Sequence, residues 1–205
     1  MPDTDRTYLT AIDLTDPPPP LRANRPRSWT DATSVHQAVM SLFPSTLPGA
    51  PTQRRSTSRI LHRLEHHDHR PRLLIQSAVP PTAGTTKDIT NYLAALTTGT
   101  NLILRCQLNT VTTEPRTGRR RAVPADQITD WAHTKLAAAG VTGTILAAQV
   151  MPLTFTRNGR TVPLRTAIID AHTTITDPAA FATALTHGIG RARPYGCGLI
   201  TTAPT

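Results

Sequence analysis

Three stretches of the chain carry residue types able to act on a phosphate. His36 lies in "ATSVHQAVMSLFP" (32–44), and an imidazole takes or gives a proton near neutral pH. "GIGRARPYGCGLI" (188–200) sets Gly188, Gly190, Gly196 and Gly198 around Arg191 and Arg193, and backbone N–H groups beside guanidinium forks suit a phosphate. "EPRTGRRRAV" (114–123) is the densest basic run, with Arg119, Arg120 and Arg121 consecutive, and Arg157 and Arg160 flank Asn158-Gly159.

The glycine loop poses a choice between a nucleotide cofactor and a nucleic-acid backbone. A dinucleotide fingerprint needs a strand, then G-x-G-x-x-G, then a helix whose N-terminus meets the pyrophosphate. Here a predicted helix precedes the loop and a strand follows it, and Gly188 and Gly190 are succeeded only by Gly196 and Gly198. No small-molecule cofactor is expected. The alternative for the loop is a close-packed crossing from helix to strand with no ligand.

Composition points the same way. The 205 residues hold 22 Lys and Arg against 13 Asp and Glu, a net charge of +9, and basic side chains that displace condensed counterions favour a polyanionic partner. Aromatic residues are 4% of the chain, too few for a broad base-stacking platform. Cys106 and Cys197 stand far apart with no C-x-x-C pairing, which gives neither zinc-ligand spacing nor a disulfide framework. "HHDH" (66–69) falls in a turn between two predicted strands with no second ligand cluster; it reads as a solvated hairpin tip, and no metal is expected. His133, His172 and His187 have no spacing that groups them. The N-terminus lacks the basic-then-apolar plan of a signal peptide and no run reaches membrane-spanning length. A soluble, cytoplasmic protein with no membrane partner is expected.

The elements that position these residues alternate. "TYLTAIDL" (7–14) reads as a strand, and the proline run at 17–20 as loop. Residues 30–44 read as a helix capped by Thr30 or Asp31, stopped by Pro44, and apolar at Val35, Ala38, Val39, Leu42 and Phe43. Residues 58–65 and 70–79 read as two strands, 80–88 as loop leading to a short link, 100–111 as a strand and 125–140 as a helix. Two β runs, 143–157 and 160–175, flank Asn158-Gly159, a strong hairpin signal. Asp177 and Pro178 open a helix that ends at Gly188, and the chain closes on a strand. The second half is thus β-α-β-β-α-β, the ferredoxin-like order, and the first half is a partial version of it. RNA-recognition domains share this topology with many unrelated proteins, so order alone does not assign a function.

"GIGRARPYGCGLITTAP" resembles the C-terminal glycine-rich signature of the CasE family, the repeat-processing endoribonucleases of type I-E CRISPR systems. "ATSVHQAVMSLFP" resembles the family's first helix, "RILHRLE" its second strand and "RPRLLIQS" its third, so the resemblance covers nearly the whole chain in order. It implies an α+β fold of two tandem ferredoxin-like (RRM-like) domains with an RNA-binding cleft between them, here 1–97 and 98–205. It implies cleavage of CRISPR precursor RNA 3′ of a repeat hairpin, without a metal or other cofactor. The 2′-hydroxyl attacks the adjacent phosphate, giving a 2′,3′-cyclic phosphate and a 5′-hydroxyl. The product stays bound, and the partners are the precursor RNA hairpin and the other subunits of Cascade.

The resemblance assigns the catalytic histidine to His36, which otherwise reads as a half-buried helical side chain. Some members carry a tyrosine three residues before it. This chain has Thr33, whose hydroxyl is too short and too weakly acidic to substitute directly. Tyr195 is the other candidate partner by chemistry, against a reading as a ring packed under the loop. Arg119, Arg120, Arg121, Arg157 and Arg160, with the loop's Gly188, Gly190, Arg191, Arg193, Gly196 and Gly198, are expected to hold RNA by shape and phosphate contact. A non-catalytic RNA-hairpin-binding subunit of a ribonucleoprotein complex, and a purely structural scaffold, are the competing readings.

Overall fold

The computed structural model describes residues 6–67, 70–114, 116–157 and 159–205, with backbone alone at His66, His67 and Arg157. Asp68 and His69 of the histidine-rich turn, and Asn158 of the hairpin turn, therefore lie outside the described residues.

The first half opens with β1 (Tyr8–Asp13), and prolines then occupy the first positions of a one-turn helix, α1 (Pro19–Ala23), where no N–H donor is needed. In α2 (Ala32–Met40), Asp31 rather than Thr30 is the cap. Its Oδ1 accepts the Thr33 N–H at 3.2 Å and its Oδ2 accepts the Ser34 hydroxyl at 2.5 Å. The helix ends before Pro44 because the N–H groups of Leu42 and Phe43 turn back to the carbonyls of Val39 and Met40. That tightened turn still buries both side chains, which with Val35, Ala38 and Val39 form one core cluster with Ile12, Leu73 and Ile75.

After α3 (Arg54–Thr57) come β2 (Leu61–His67) and β3 (Arg70–Ser77). The 80–88 stretch, expected as loop, ends in β4 (Thr85–Asp88), which pairs antiparallel with β1. All four of its residues are exposed, so it shows none of the alternation by which a strand is read. The sheet order β2-β3-β1-β4 is ferredoxin-like, although the connection from β3 to β4 carries no helix. A one-turn helix, α4 (Thr90–Ala94), links the halves.

The second half runs β5 (Asn101–Asn109), β6 (Val111–Thr113), β7 (Arg120–Ala122), α5 (Ile128–Ala137), β8 (Val141–Val150), β9 (Leu153–Arg157), β10 (Arg160–Leu164), β11 (Thr166–Ile175), α6 (Pro178–His187) and β12 (Ile200–Pro204). Its antiparallel sheet has the order β12-β5-β11-β8. Ile128, Ala132 and Leu136 of α5, with Phe181 and Leu185 of α6, share one buried cluster with Leu104, Cys106 and Ile169 of the sheet. Each Leu, Ile or Phe among them contributes about 1.5–3 kcal/mol by leaving water. Burial also pushes both thiols up to about 12, which removes the thiolate and with it their reactivity.

Two expectations change here. The basic stretch 114–123 is not a plain loop but part of a hairpin, β6–β7, closed by the Glu114 N–H on the Arg119 carbonyl at 2.9 Å. The two long β runs each break, so that β9 and β10 pair with each other rather than with the sheet and form an arm. That arm docks on the start of α2: the Thr154 N–H reaches the Thr30 carbonyl at 3.0 Å, and the Thr156 N–H reaches the Thr33 hydroxyl at 2.9 Å.

The two sheets meet through Arg63 of β2, which is fully buried. A guanidinium has five N–H donors, and all five are used. Nε reaches Glu65 at 2.9 Å, Nη1 reaches the carbonyls of Arg105 and Leu199 at 2.9 and 2.8 Å, and Nη2 reaches the Thr201 hydroxyl at 2.5 Å and the Glu65 carboxylate. Gln76 adds a second tie, donating to the Leu185 carbonyl at 2.5 Å. Among the described residues no helix is long and apolar enough to cross a membrane.

Candidate active site

His36 leaves α2 beside its buried stripe and is itself half-buried. It lines a cavity of about 530 Å³ with Met40 and Phe43 of its own segment, Arg54 and Arg55 of α3, and Pro194 of the glycine loop. Its Nδ1 is buried with no hydrogen-bond partner among the described residues, a state that native structures rarely leave without a ligand or water. Burial first, and the Arg55 guanidinium second, hold its pKa below the usual 6.5. His36 is therefore neutral at physiological pH and able to accept a proton. His62 of β2 lies close by and is held down further, to about 3, by complete burial, then by His36 and Arg55. It stays neutral and serves as no acid.

Next to this cavity runs a groove of about 680 Å³ whose charged lining is entirely cationic: Arg55, Arg120, Arg121, Arg165, Arg191 and Arg193. Arginines from four segments distant in sequence converge there, namely α3, the β6–β7 hairpin, the link between β10 and β11, and the glycine loop. Arg191 is held by a 3.0 Å bond to the Thr113 hydroxyl. Arg121 lies 3.7 Å from Glu114, a partly exposed pair that holds it weakly. A smaller cavity of about 340 Å³, between α2 and the open face of the second sheet, is different in kind. Its cation, Arg105, is already paired with Asp170 through two bonds of 2.6 and 2.9 Å, so it presents no free positive charge to an anion.

The glycine loop splits into two roles. At Gly198 (φ +90°) a Cβ would stand 2.6 Å from the Ile189 carbonyl oxygen, and at Gly188 (φ +73°) it would stand 2.9 Å from the Leu61 side chain. These positions fold the loop back on itself and onto β2, as the close-packed crossing requires. A Cβ at Gly196 would meet nothing nearer than the His62 ring, at an ordinary 3.6 Å. Gly190 alone of the four lines the arginine groove, with nothing within 4 Å of a Cβ there, and so offers bare backbone to a ligand.

Of the other expected residues, Arg120, Arg121, Arg191 and Arg193 come together in the groove, whereas Arg119 and Arg160 are exposed and do not line it. The side chain of Arg157 is not among those described. Thr33 lines neither the cavity of His36 nor the groove, and its hydroxyl accepts the Thr156 N–H of the arm. Tyr195 stacks on Phe155 of the arm, with ring centroids 5.1 Å apart and planes 26° from parallel. It lines the groove but not the cavity of His36. Arg55 and Arg165 were not singled out by the sequence. Arg55 follows Arg54 in a short polar segment and Arg165 stands alone after Val162-Pro163-Leu164, and only the tertiary structure places them in the groove.

A family model described as "CRISPR associated protein" matches residues 7–204. Among curated proteins no sequence matches the chain significantly. Among solved structures, the chain superposes on the CRISPR endoribonuclease Cse3 bound to a 19-nucleotide RNA with a TM-score of 0.70 and 20% identity, covering 97% of this chain and 100% of that one. The CRISPR-associated protein Cas6e from Escherichia coli str. K-12 matches with a TM-score of 0.63 and 23% identity, over 97% and 100% of the two chains. A chain of a CRISPR RNA-guided surveillance complex matches with a TM-score of 0.63 and 21% identity, again over 97% and 100%. These likenesses bear out the tandem ferredoxin-like fold.

Proposed function

The chain belongs to the CRISPR-associated protein family matched over residues 7–204, and from that membership we propose that it is a CRISPR endoribonuclease. It binds the repeat hairpin of precursor CRISPR RNA and cuts 3′ of it by metal-independent attack of the 2′-hydroxyl. It then stays with the guide RNA as a cytoplasmic Cascade subunit, its two ferredoxin-like domains dividing near residues 97 and 98. The observation that carries this reading is a neutral histidine opening beside a groove lined by six arginines and no carboxylate. A-form RNA hides its base edges in a deep groove, so recognition through phosphates suits such a surface. His36 takes the 2′-hydroxyl proton, the new 2′-O–P bond displaces the 5′-oxygen, and a 2′,3′-cyclic phosphate results. The similar structures, whose descriptions name an endoribonuclease bound to RNA and a surveillance complex, support the activity and the partners.

Incubation with the CRISPR repeat RNA of the same genome tests this directly. Cleavage is expected to proceed in excess EDTA and to stop when the nucleotide 5′ of the cut carries a 2′-deoxy sugar. Loss of activity on chelation, restored by added zinc or magnesium, would replace the mechanism with a metal-assisted one. One observation favours a second reading, a non-catalytic hairpin-binding subunit: the Thr33 hydroxyl accepts from the arm and does not line the cavity of His36. RNA that is shifted but never cut would establish that alternative.

The groove makes its own prediction. Changing Arg120, Arg121 and Arg191 together to glutamine should weaken hairpin binding and flatten its salt dependence, by roughly 0.7–0.9 in the log–log slope per lost phosphate contact. An unchanged slope in a titration over salt concentrations would show that RNA does not follow this groove.

A further inference from the structure

We infer that Arg55 is a further catalytic residue, forming with Arg193 a two-guanidinium seat for the reacting phosphate beside His36. This rests on the endoribonuclease reading and names a residue which that reading leaves out.

The position of Arg55 is the first ground. Of the charged side chains lining the His36 cavity and the arginine groove, Arg55 alone is common to both. A backbone lying along the groove must pass Arg55 to present a phosphate to His36. The side chain is also held in place: its Nη1 donates to the Ile60 carbonyl at 2.9 Å, and its other N–H groups have no protein partner among the described residues. Orientation is thus fixed before a ligand arrives, and the free donors cost no reorganisation during reaction.

The second ground is missing counter-charge. Arg55 is half-buried, and its pKa is lowered by burial and then by the neighbouring charge of Arg193. Arg193 carries a buried Nε with no partner. Neither cavity has a carboxylate in its lining. A desolvated cation needs an anion, and two such cations lining one groove, each within the other's field, need it more. Elsewhere in the same molecule the fully buried Arg63 is answered by Glu65, and the more exposed Arg105 by Asp170. At Arg55 and Arg193 the matching anion has to come from the ligand.

An RNA phosphodiester enters with one negative charge and gains a second as the 2′-oxygen adds to phosphorus. The two guanidinium groups donate to its non-bridging oxygens and bind that second charge more tightly than the first, which is the condition for lowering a barrier. The 2′-hydroxyl proton passes to His36, the 2′-O–P bond forms and the P–O5′ bond breaks. The 5′-oxygen leaves with a proton from water, and the resulting hydroxide recovers the proton held by His36. Nothing in this sequence of steps requires a hydroxyl at Thr33.

The test is single-turnover cleavage of the repeat hairpin RNA by wild type, Arg55→Gln and Arg193→Gln, with hairpin affinity measured on each. Arg55→Gln is expected to lose roughly 10²–10³ in rate, the cost of one transition-state donor, with affinity within a few-fold of wild type. Arg193→Gln should lose rate similarly, and it leaves the bond to Ile60 untouched should Arg55→Gln loosen the fold. Added guanidinium should restore part of the rate to Arg55→Ala. The groups facing His36 are Arg54 and Arg55 from α3, His62 from β2 and the loop bearing Arg193, none of them acidic. Removing Arg55 should therefore move the acid limb of the pH–rate profile upward, an effect that a purely structural role would not produce. If wild type cuts and Arg55→Gln cuts within threefold of it, the inference fails and the activity stands. If wild type binds the hairpin without cutting it, the endoribonuclease reading fails and takes this inference with it.

Discussion

His36→Ala is expected to slow single-turnover cleavage by roughly 10²–10⁴, the usual cost of losing a positioned acid–base group, and to leave hairpin affinity nearly unchanged. The separation follows from the architecture. Binding is carried by the arginine groove, whereas His36 opens into the adjoining cavity. The side chain is half-buried at the edge of the α2 stripe, and the buried stripe itself is Val35, Ala38 and Val39, so its loss leaves the helix seated. The pH dependence is signed by the same environment. Burial and Arg55 lower the imidazole pKa below 6.5, so the proton-accepting form is already dominant at neutrality. The rate should climb through an inflection below pH 6.5 and level off above it, and the inflection should vanish from the residual rate of His36→Ala. Undiminished cleavage by that variant would remove His36 from the mechanism.

How far this site can be read from the sequence depends on whether its parts are local. The cap at Asp31, the Pro178 start and the Gly188 stop of α6 are set by backbone groups within a few residues, and each is visible without a structure. So is the crossing at the glycine loop. The four-residue β4 is not, because every side chain on it is exposed and its strand character comes only from pairing with β1. Nor is the break of the two long β runs. Pro152 and Arg165 interrupt them, but a proline inside an apolar run reads equally well as an edge strand. The same limit governs charge. Arg120 and Arg121 stand in a visible cluster, whereas Arg165 and Arg63 are isolated and Arg55 is half of a single pair with Arg54, and their meaning lies in what another segment brings to them. Thr33 shows the limit from the other side. Its identity marks a departure from the family's tyrosine, but only the arm that donates to its hydroxyl shows how it is used.

Arg63→Ala is expected to destabilise the protein by roughly 3–5 kcal/mol, the range for removing one partner of a buried ion pair. The deletion leaves the carbonyls of Arg105 and Leu199 and the Glu65 carboxylate without the donors they now share. Glu65 is only 16% exposed, so water replaces the lost guanidinium poorly. In a chain of this size each kcal/mol moves the melting temperature by about 2–4 °C, so a fall on the order of 10 °C should appear in a thermal scan. The location predicts more than the magnitude. Arg63 sits on β2 of the first sheet, and three of its acceptors belong to β5, β12 and the turn before β12 in the second. Its removal should uncouple the halves, broadening the transition or splitting it in two, where loss of an ordinary core residue would lower one cooperative transition intact. Leu199 also lies next to Gly198, whose N–H is anchored on the Gln107 carbonyl at 2.8 Å. The glycine loop that carries Arg193 should therefore loosen with the interface, and cleavage should fall below the melting temperature as well as above it. Arg63→Lys retains the charge but supplies three donors in place of five, so it should lie between wild type and alanine. A melting temperature for Arg63→Ala within two degrees of wild type would mean that the buried guanidinium only fills space between the two sheets.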